Sequence, residues 1–274
     1  MAEKPVLIDI DKVLREKAPK YCKYVPGFVV RYLKKIVHQD EFNGFISTHA
    51  DCYGVDFIRE FLKFLDIKVE VKGMENLPTE GLCTFVSNHP LGGADGLALG
   101  LVLGEFYEGK IKYIVNDLLM NIHGMAPLFV PINKTGKQSK DFPQRVEASF
   151  ASGDQLIMFP AGMCSRRQNG VIRDLEWKKT FVTKSVAHQR DVVPIYFEGR
   201  NSDFFYNLAN WCKRLGIKFN IAMLYLADEM VKNKHNTFKV TIGKPIPWST
   251  FDKSKTPMAW AQEVKELVYS MSEI

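Results

Sequence analysis

No two of the five cysteines (Cys22, Cys52, Cys83, Cys164 and Cys212) stand in a CxxC pair. An odd, scattered set excludes a disulfide framework and fits reduced thiols. Long hydrophobic runs are missing as well. The longest uncharged stretch, 118–133, falls short of the ~20 apolar residues of a membrane span, and Asn121, His123, Pro127 and Pro131 interrupt it. Charges at Glu3, Lys4, Asp9, Asp11 and Lys12 break the opening residues before the apolar core of a signal peptide can form. The sequence therefore reads as a cytoplasmic protein, with a peripheral place on the inner face of the membrane still open. It has no internal repeat, no low-complexity tract and no long linker. It also lacks a G-x-S-x-G elbow, which argues against a serine lipase.

What remains is ordinary globular material: 274 residues, 46% hydrophobic and 25% charged, ample for a substantial core. The net charge of +6 is local. Residues 12–37 hold eight basic residues (Lys12, Arg15, Lys17, Lys20, Lys23, Arg31, Lys34, Lys35) against one acid, Glu16. The other residues hold 29 basic and 30 acidic groups. After Pro26-Gly27, residues 28–38 are helically periodic. At about 100° per residue, Phe28, Val29, Val30, Tyr32, Leu33, Ile36 and Val37 share one arc, while Arg31, Lys34, Lys35 and His38 share the other. Such a helix can lie on an anionic bilayer, or its apolar arc can pack on the protein. No recognition motif accompanies the basic residues, so nucleic acid is not expected as a partner. A second amphipathic helix spans 55–66. Residues 1–66 thus read as an N-terminal helical region, in which two helices could form a hairpin at the membrane surface or along an acyl groove.

From Ile67 strands and helices alternate. Strands are expected at 67–73, 82–88, 112–116, 128–132, 155–160, 192–198 and 238–244. Helices are expected near 95–104, 118–124, 140–152, 178–190, 204–214, 222–232 and 257–272. This predicts an α/β domain over 67–274, with a mixed, largely parallel sheet flanked by helices. Functional residues of such sheets gather at the carboxyl ends of strands.

Four strand ends carry chemistry. The first reads Asn88-His89-Pro90-Leu91-Gly92-Gly93-Ala94-Asp95. A histidine where a strand runs out, with a following aspartate, has the makings of a general base held in one tautomer. The structural alternative is a helix cap at Asp95 and a turn residue at His89. The second end reads Phe159-Pro160-Ala161-Gly162-Met163-Cys164-Ser165-Arg166-Arg167. Amides around a glycine, backed by arginines, can hold an oxyanion or a phosphate, or merely make a turn with solvated charges. The third is Pro131-Ile132-Asn133-Lys134 and the fourth Val193-Pro194-Ile195. Cys164 is a conceivable nucleophile with His89 as its base, though a small buried residue is the expected reading.

Taken together and in this order, the four blocks resemble the glycerolipid (lysophospholipid) acyltransferase family of the bacterial 1-acylglycerol-3-phosphate acyltransferases, over roughly residues 70–245. That family carries NHxxxxD, P-[VI]-D-R, FPEGTRS and V-P-[VI] blocks, preceded by a phrase like Gly73-Met74-Glu75-Asn76-Leu77-Pro78. Three departures stand out. Five residues separate His89 from Asp95 where the family has four, with the extra one in a Gly-Gly turn. Asn133-Lys134 replaces Asp-Arg, so a point charge replaces a bidentate fork. Ala161 replaces the glutamate of FPEG. The last two blocks are associated with the acceptor in the family, so the departures put a glycerol-phosphate acceptor in question. The His89 block, together with Cys164-Ser165-Arg166-Arg167 and Asp174-Leu175-Glu176-Trp177-Lys178-Lys179, is similar to the lyso-ornithine-lipid and lyso-glycine-lipid O-acyltransferases of bacteria.

The resemblance implies that His89 deprotonates a lysolipid hydroxyl while Asp95 holds the imidazole. An acyl thioester of acyl carrier protein or coenzyme A is the cosubstrate, with no bound cofactor and no metal. Amides near Gly162 or in the 89–93 turn would stabilise the oxyanion. Asn88, Gly92, Gly93, Asn133, Lys134, Pro160, Gly162, Ser165, Arg166, Arg167, Glu176 and Lys178 are the candidate substrate-binding residues, with Glu176 a candidate for the carboxylate that Ala161 lacks. Two rivals stand beside this reading. One is a thioesterase or lipid hydrolase using the same dyad. The other is an inert basic protein that only binds membranes.

Overall fold

A computed structural model describes residues 6–17, 19, 24–114, 123–130, 142–217 and 221–273. Before Ile67 they form four helices: α1 (Ile10–Lys17), α2 (Gly27–Ile36), α3 (Gln39–Thr48) and α4 (Gly54–Phe64). Periodicity predicted only α2 and α4. In α3 the apolar residues are Phe42, Phe45 and Ile46, too few for a readable stripe, yet Phe42 and Phe45 are buried. His38, at φ 50°, is left-handed and stops the preceding helix two residues early. The apolar arc of α2 is divided. Ile36 is buried and Val29 and Leu33 half-buried, whereas Phe28 and Tyr32 remain exposed beside Arg31 and Lys35.

The strands are β1 (Lys68–Lys72), β2 (Cys83–Ser87), β3 (Ile111–Ile114), β4 (Gln155–Met158), β5 (Arg166–Gln168), β6 (Val171–Arg173), β7 (Asp191–Glu198) and β8 (Thr237–Ile242). Six of them form one sheet in the order β1-β8-β7-β2-β4-β3, parallel at every join but β7–β8. The short β5–β6 hairpin stands apart and was not expected from the sequence. Of the expected strand at 128–132, Phe129 makes a single parallel bridge to Tyr113, and residues beyond 130 lie outside the described ones. The expected helix near 118–124 lies almost wholly outside them too. The remaining helices are α5 (Gly93–Phe106), α6 (Phe142–Phe150), α7 (Thr180–Ala187), α8 (Asp203–Arg214), α9 (Leu226–Lys232) and α10 (Pro257–Ser270). Thr256 caps α10 by accepting from the Ala259 amide, with Pro257 at its first position.

The central strands are covered on both faces, which is why they read as unbroken apolar runs. Phe85 and Ile157 point towards α3, α4 and α5. Val86, Leu156 and Met158 point towards α6, α7 and α10. Helix α5 is apolar all round because it is buried. At Gly100 a Cβ would stand 1.8 Å from the Tyr113 hydroxyl, which donates to the Gly96 carbonyl at 2.7 Å. Only glycine lets α5 and β3 approach this closely. Parallel β7, β2, β4 and β3 all end on one side, and the blocks after β2 and β4 meet there, whereas Val193-Pro194-Ile195 lies within β7.

Candidate active site

The turn after β2 is anchored from below. Asn88 follows the last paired residue of the strand and is buried. Its side-chain amide donates to the Phe197 carbonyl at 2.9 Å, and its Oδ1 accepts from the Phe197 amide at 2.7 Å. Asn88 thus continues the β2–β7 ladder with a side chain. This corrects its expected role in touching substrate, since both ends of the amide are committed to backbone. Asn201, just beyond β7, donates to the Pro90 carbonyl at 3.2 Å and fixes the other side of the turn.

Gly92, at φ 85°, occupies backbone space open mainly to glycine. The chain turns there and enters α5. The turn also absorbs the additional residue between His89 and Asp95. Asp95, fully buried, lies in the first turn of α5 and accepts the Leu91, Gly92 and Gly96 amides at 3.0, 3.2 and 2.8 Å. Its two oxygens also lie 3.0 and 3.1 Å from His89 Nδ1. The helix start and the contact with His89, alternatives in the sequence, thus fall on the same carboxylate. Asp95 can only accept when ionised, so Nδ1 carries the proton and Nε2 keeps its lone pair. The His89 ring stacks on Phe159, 4.1 Å between centroids, and lines a cavity of about 390 Å³.

The cavity is mostly apolar. Gly92, Gly93, Ile114, Val146, Met158, Phe159, Pro160, Gly162, Met163, Cys164, Met223 and Leu226 contribute to its wall. Lys178 and Lys184 bring cations to it, and Lys184 is paired with Glu147 on α6. The Lys178 ammonium lies 2.9 Å from where a Cβ on Gly162 would stand. A mostly apolar space lined also by a histidine and two lysines suits an acyl chain carrying a reactive polar end.

The turn after β4 behaves differently. Pro160 and Gly162 line the cavity, but the Gly162 amide donates to Phe159 at 2.9 Å within its own turn. The Leu91 and Gly92 amides serve Asp95. The Leu91, Gly92 and Gly162 amides, among those expected to form an oxyanion site, are therefore already engaged, while Gly93 at the start of α5 lines the cavity. Ser165 is buried, its hydroxyl donating to Asp174 Oδ1 at 2.6 Å. Arg166 donates to the Cys164 carbonyl and Sγ, at 3.0 and 2.9 Å, and lies over the Phe205 ring. Arg167 pairs with Asp203 and lies over Tyr206. Glu176 is exposed and away from the cavity wall, so it does not replace the missing carboxylate. Of the four residues expected to contact substrate, Ser165, Arg166 and Arg167 thus bond to neighbouring parts of the fold, and Glu176 is exposed. Asn133 and Lys134 lie outside the described residues.

Asp174 was not singled out from its motif, yet it ties the two turns together. It accepts the His89 amide at 3.2 Å, the Ser165 hydroxyl, and the Trp177 indole at 2.9 Å, while the Ser165 amide donates back to the His89 carbonyl at 2.7 Å. Its own amide donates to the Tyr269 hydroxyl at 2.7 Å, so α10 braces the site as well. Burial pushes the Asp174 carboxyl up, against the lowering by Ser165, Trp177 and the His89 amide. The aspartate in the Asp174-Leu175-Glu176-Trp177 phrase was the available signal, but nothing in the spacing shows what it binds. Burial also pushes the Cys164 thiol up, although Arg166 opposes this. A protonated, buried thiol is a poor nucleophile. Among the described residues no group of three or more His, Cys, Asp or Glu is placed to hold a metal ion.

Residues 12–269 match the model of a family described as Acyltransferase. Over 265 residues the chain is 73% identical to a lyso-glycine lipid O-acyltransferase of Bacteroides thetaiotaomicron, covering 97% of each chain. A lyso-glycine lipid O-acyltransferase of Phocaeicola vulgatus is 69% identical over 265 residues, covering 97% of this chain and 95% of that one. Among solved structures, the 1-acyl-sn-glycerophosphate acyltransferase PlsC of Thermotoga maritima aligns with a TM-score of 0.48 and 21% identity. That alignment covers 94% of this chain and 83% of the other.

Proposed function

The chain belongs to this acyltransferase family, and from that premise we propose that it moves a fatty acyl group from a thioester carrier to a hydroxyl of a lyso-glycine lipid. The observation that carries this reading is the His89–Asp95 contact at the mouth of an apolar cavity. With Nδ1–H held by Asp95, Nε2 takes the proton of the acceptor hydroxyl as its oxygen attacks the thioester carbonyl carbon. Asp95 stabilises the imidazolium that results. Collapse of the tetrahedral intermediate breaks the C–S bond, and His89 returns the proton to the departing thiolate. Lys178, which lines the cavity beside Gly162, faces the developing oxyanion in this reading. The thioester is already activated, so the chemistry calls for no metal or redox cofactor.

The donor is acyl carrier protein or coenzyme A, and the setting is membrane lipid biosynthesis on the cytoplasmic face of the inner membrane. Among the described residues no helix is long and apolar enough to cross a membrane, which suits a peripheral seat. Two relatives named for a lyso-glycine lipid, at 73% and 69% identity, support the acceptor. The departures at Asn133-Lys134 and Ala161 from the glycerol-phosphate pattern support it as well.

The test uses purified protein, labelled acyl-carrier-protein and acyl-coenzyme A thioesters, and a panel of lysolipids that includes lyso-glycine lipid and lysophosphatidate. A diacylated glycine lipid that disappears with His89→Ala is expected. Labelled free fatty acid alone, with every acceptor, would make the protein a hydrolase. No product at all from the native protein would leave it an inert membrane binder.

A further inference from the structure

Helix α8 carries apolar residues on two faces. Phe205, Tyr206 and Cys212 point inwards and are buried. On another side Phe204, Trp211 and Leu215 fall within one narrow stripe at helical spacing, with Leu208 at its edge packed partly against the core. There Trp211 is 59% exposed, Leu215 56% and Phe204 50%. The stripe does not end with the helix. The Phe204 ring meets Tyr225 edge-on, 5.0 Å between centroids, and the Tyr225 hydroxyl lies 2.8 Å from that of Tyr32 on α2. One turn earlier on α2 stands Phe28, 66% exposed. An outward apolar surface therefore runs from the end of α8 across Tyr225 to the start of α2.

The charges around it have one sign. Arg31 and Lys35 lie beside Phe28 and Tyr32, and Lys213 and Arg214 close the far end of α8, all exposed. Lys232 lies over the Phe204 ring, 6.0 Å from its centroid. The acids nearby are paired with cations, Asp203 with Arg167 and Arg200, and Asp228 and Glu229 with Lys232. Tyr225 also stands between Met223 and Leu226, which line the catalytic cavity, and Leu226 packs against Gly92 in the turn that follows His89. The outward surface and the cavity wall thus share the same short segment.

We propose that the stripe on α8, with Tyr225 and the Phe28–Tyr32 edge of α2, is the surface that seats the protein on an anionic lipid bilayer, next to the mouth of the acyl cavity. Tryptophan and tyrosine favour the headgroup level, and flanking arginines and lysines favour anionic lipid. The basic N-terminal helix is then one edge of the seat rather than the whole of it. The proposal rests on the lipid-acylating reading for its purpose, but the bilayer contact is measured without any reaction.

The experiment compares native protein with Trp211→Ser/Leu215→Ser in flotation on phosphatidylcholine vesicles with and without phosphatidylglycerol. Acyl transfer is followed in parallel on detergent-dispersed and on vesicle-embedded lysolipid. The native protein is expected to float with the anionic vesicles and the variant to partition about tenfold or more weakly. The variant should keep its melting temperature and its rate on dispersed lysolipid, and lose rate only on vesicles. Brominated phosphatidylglycerol should quench native tryptophan fluorescence, and Trp211→Phe should remove most of that quenching. Unchanged flotation of the double variant overturns the proposal. So does a native dimer in sedimentation velocity that the double variant abolishes, because the stripe is then a contact between copies. If the native protein floats but transfers no acyl group in either format, the bilayer seat stands and the acyltransferase reading of the cavity fails.

Discussion

The turns after β2 and β4 leave neighbouring parallel strands on the same side of the sheet, and both carry the polar residues that suggest a site. After β2, one side chain faces the cavity with a free lone pair, and the residues around it hold it there. Asn88 replaces a rung of the sheet, Asp95 grips the imidazole and three amides, and Gly92 supplies the turn. After β4, the polar side chains of Ser165, Arg166 and Arg167 turn away from the cavity. They bind Asp174, the Cys164 carbonyl and sulfur, and Asp203. The difference teaches that a motif rich in polar residues can be a reactive edge or its scaffold. Which one it is depends on how much of the hydrogen-bonding capacity is spent within the fold; after β4 most of it is, with Arg166 Nη2 buried and without a partner among the described residues.

The comparison breaks first at His89. His89→Ala should lower kcat/KM by about 10²–10⁴-fold, with the circular dichroism unchanged. If the turn after β4 carried the reaction instead, the loss would be small. Asp95→Asn comes next. It leaves a side chain of the same shape that can no longer stabilise an imidazolium, and kcat should fall by about 10²–10³-fold with little change in KM.

Asp174 joins the two turns and its loss should affect both. Asp174→Ala leaves the Ser165, Trp177 and His89 donors unpaired in the interior, at a cost of about 2–4 kcal/mol in urea unfolding, and lowers kcat about tenfold. The isosteric Asp174→Asn sharpens the point through pH. Burial raises this carboxyl, so the folded state holds its proton more tightly than the unfolded chain does. Stability from this group is therefore greatest at acid pH, and it is lost as pH rises from the ordinary carboxylate value through the raised one. The urea midpoint of the native protein relative to Asp174→Asn should fall over that range and then level off.

The smallest effects belong to the scaffold's surface. Arg167→Gln removes a partly exposed ion pair, and should cost about 1 kcal/mol or less and leave kcat within about twofold. Cys164→Ser should follow the native pH–rate profile from pH 6 to 9 within about twofold, because burial keeps the thiol protonated across it. A nucleophilic cysteine would instead give an inactive variant.

Much of this was legible along the chain. The periodicities located α2, α4, α5 and the helices after it because each has a long enough apolar stripe or run. The central strands β2, β4 and β7 showed as apolar runs because both of their faces are covered, and β1, β3 and β8 showed as alternation because only one face is. His89 and Asp95 were legible because chemistry-bearing residues at a strand end followed by glycines form a compact local pattern. The first and third helices and the β5–β6 hairpin were not legible, because short elements with few apolar residues take their stability from contacts far away in the chain.

The roles of the remaining site residues could not be read in the same way. Ser165, Arg166 and Glu176 look like ligand-binding residues in a motif. Asp174 looks like any acidic residue before a helix, and Tyr269 like part of a core stripe. The sequence by itself determined an α/β sheet with helices on both faces, the family, and the His89–Asp95 pair. Local spacing and burial pattern are properties of the chain, so they survive without the fold. The tertiary structure alone decided which polar groups are satisfied by partners tens of residues away, and hence that Asp174 ties the turns together. It also decided that the exposed stripe of α8 meets Tyr225 and α2 beside the cavity mouth, because a shared surface exists only once distant segments are packed side by side.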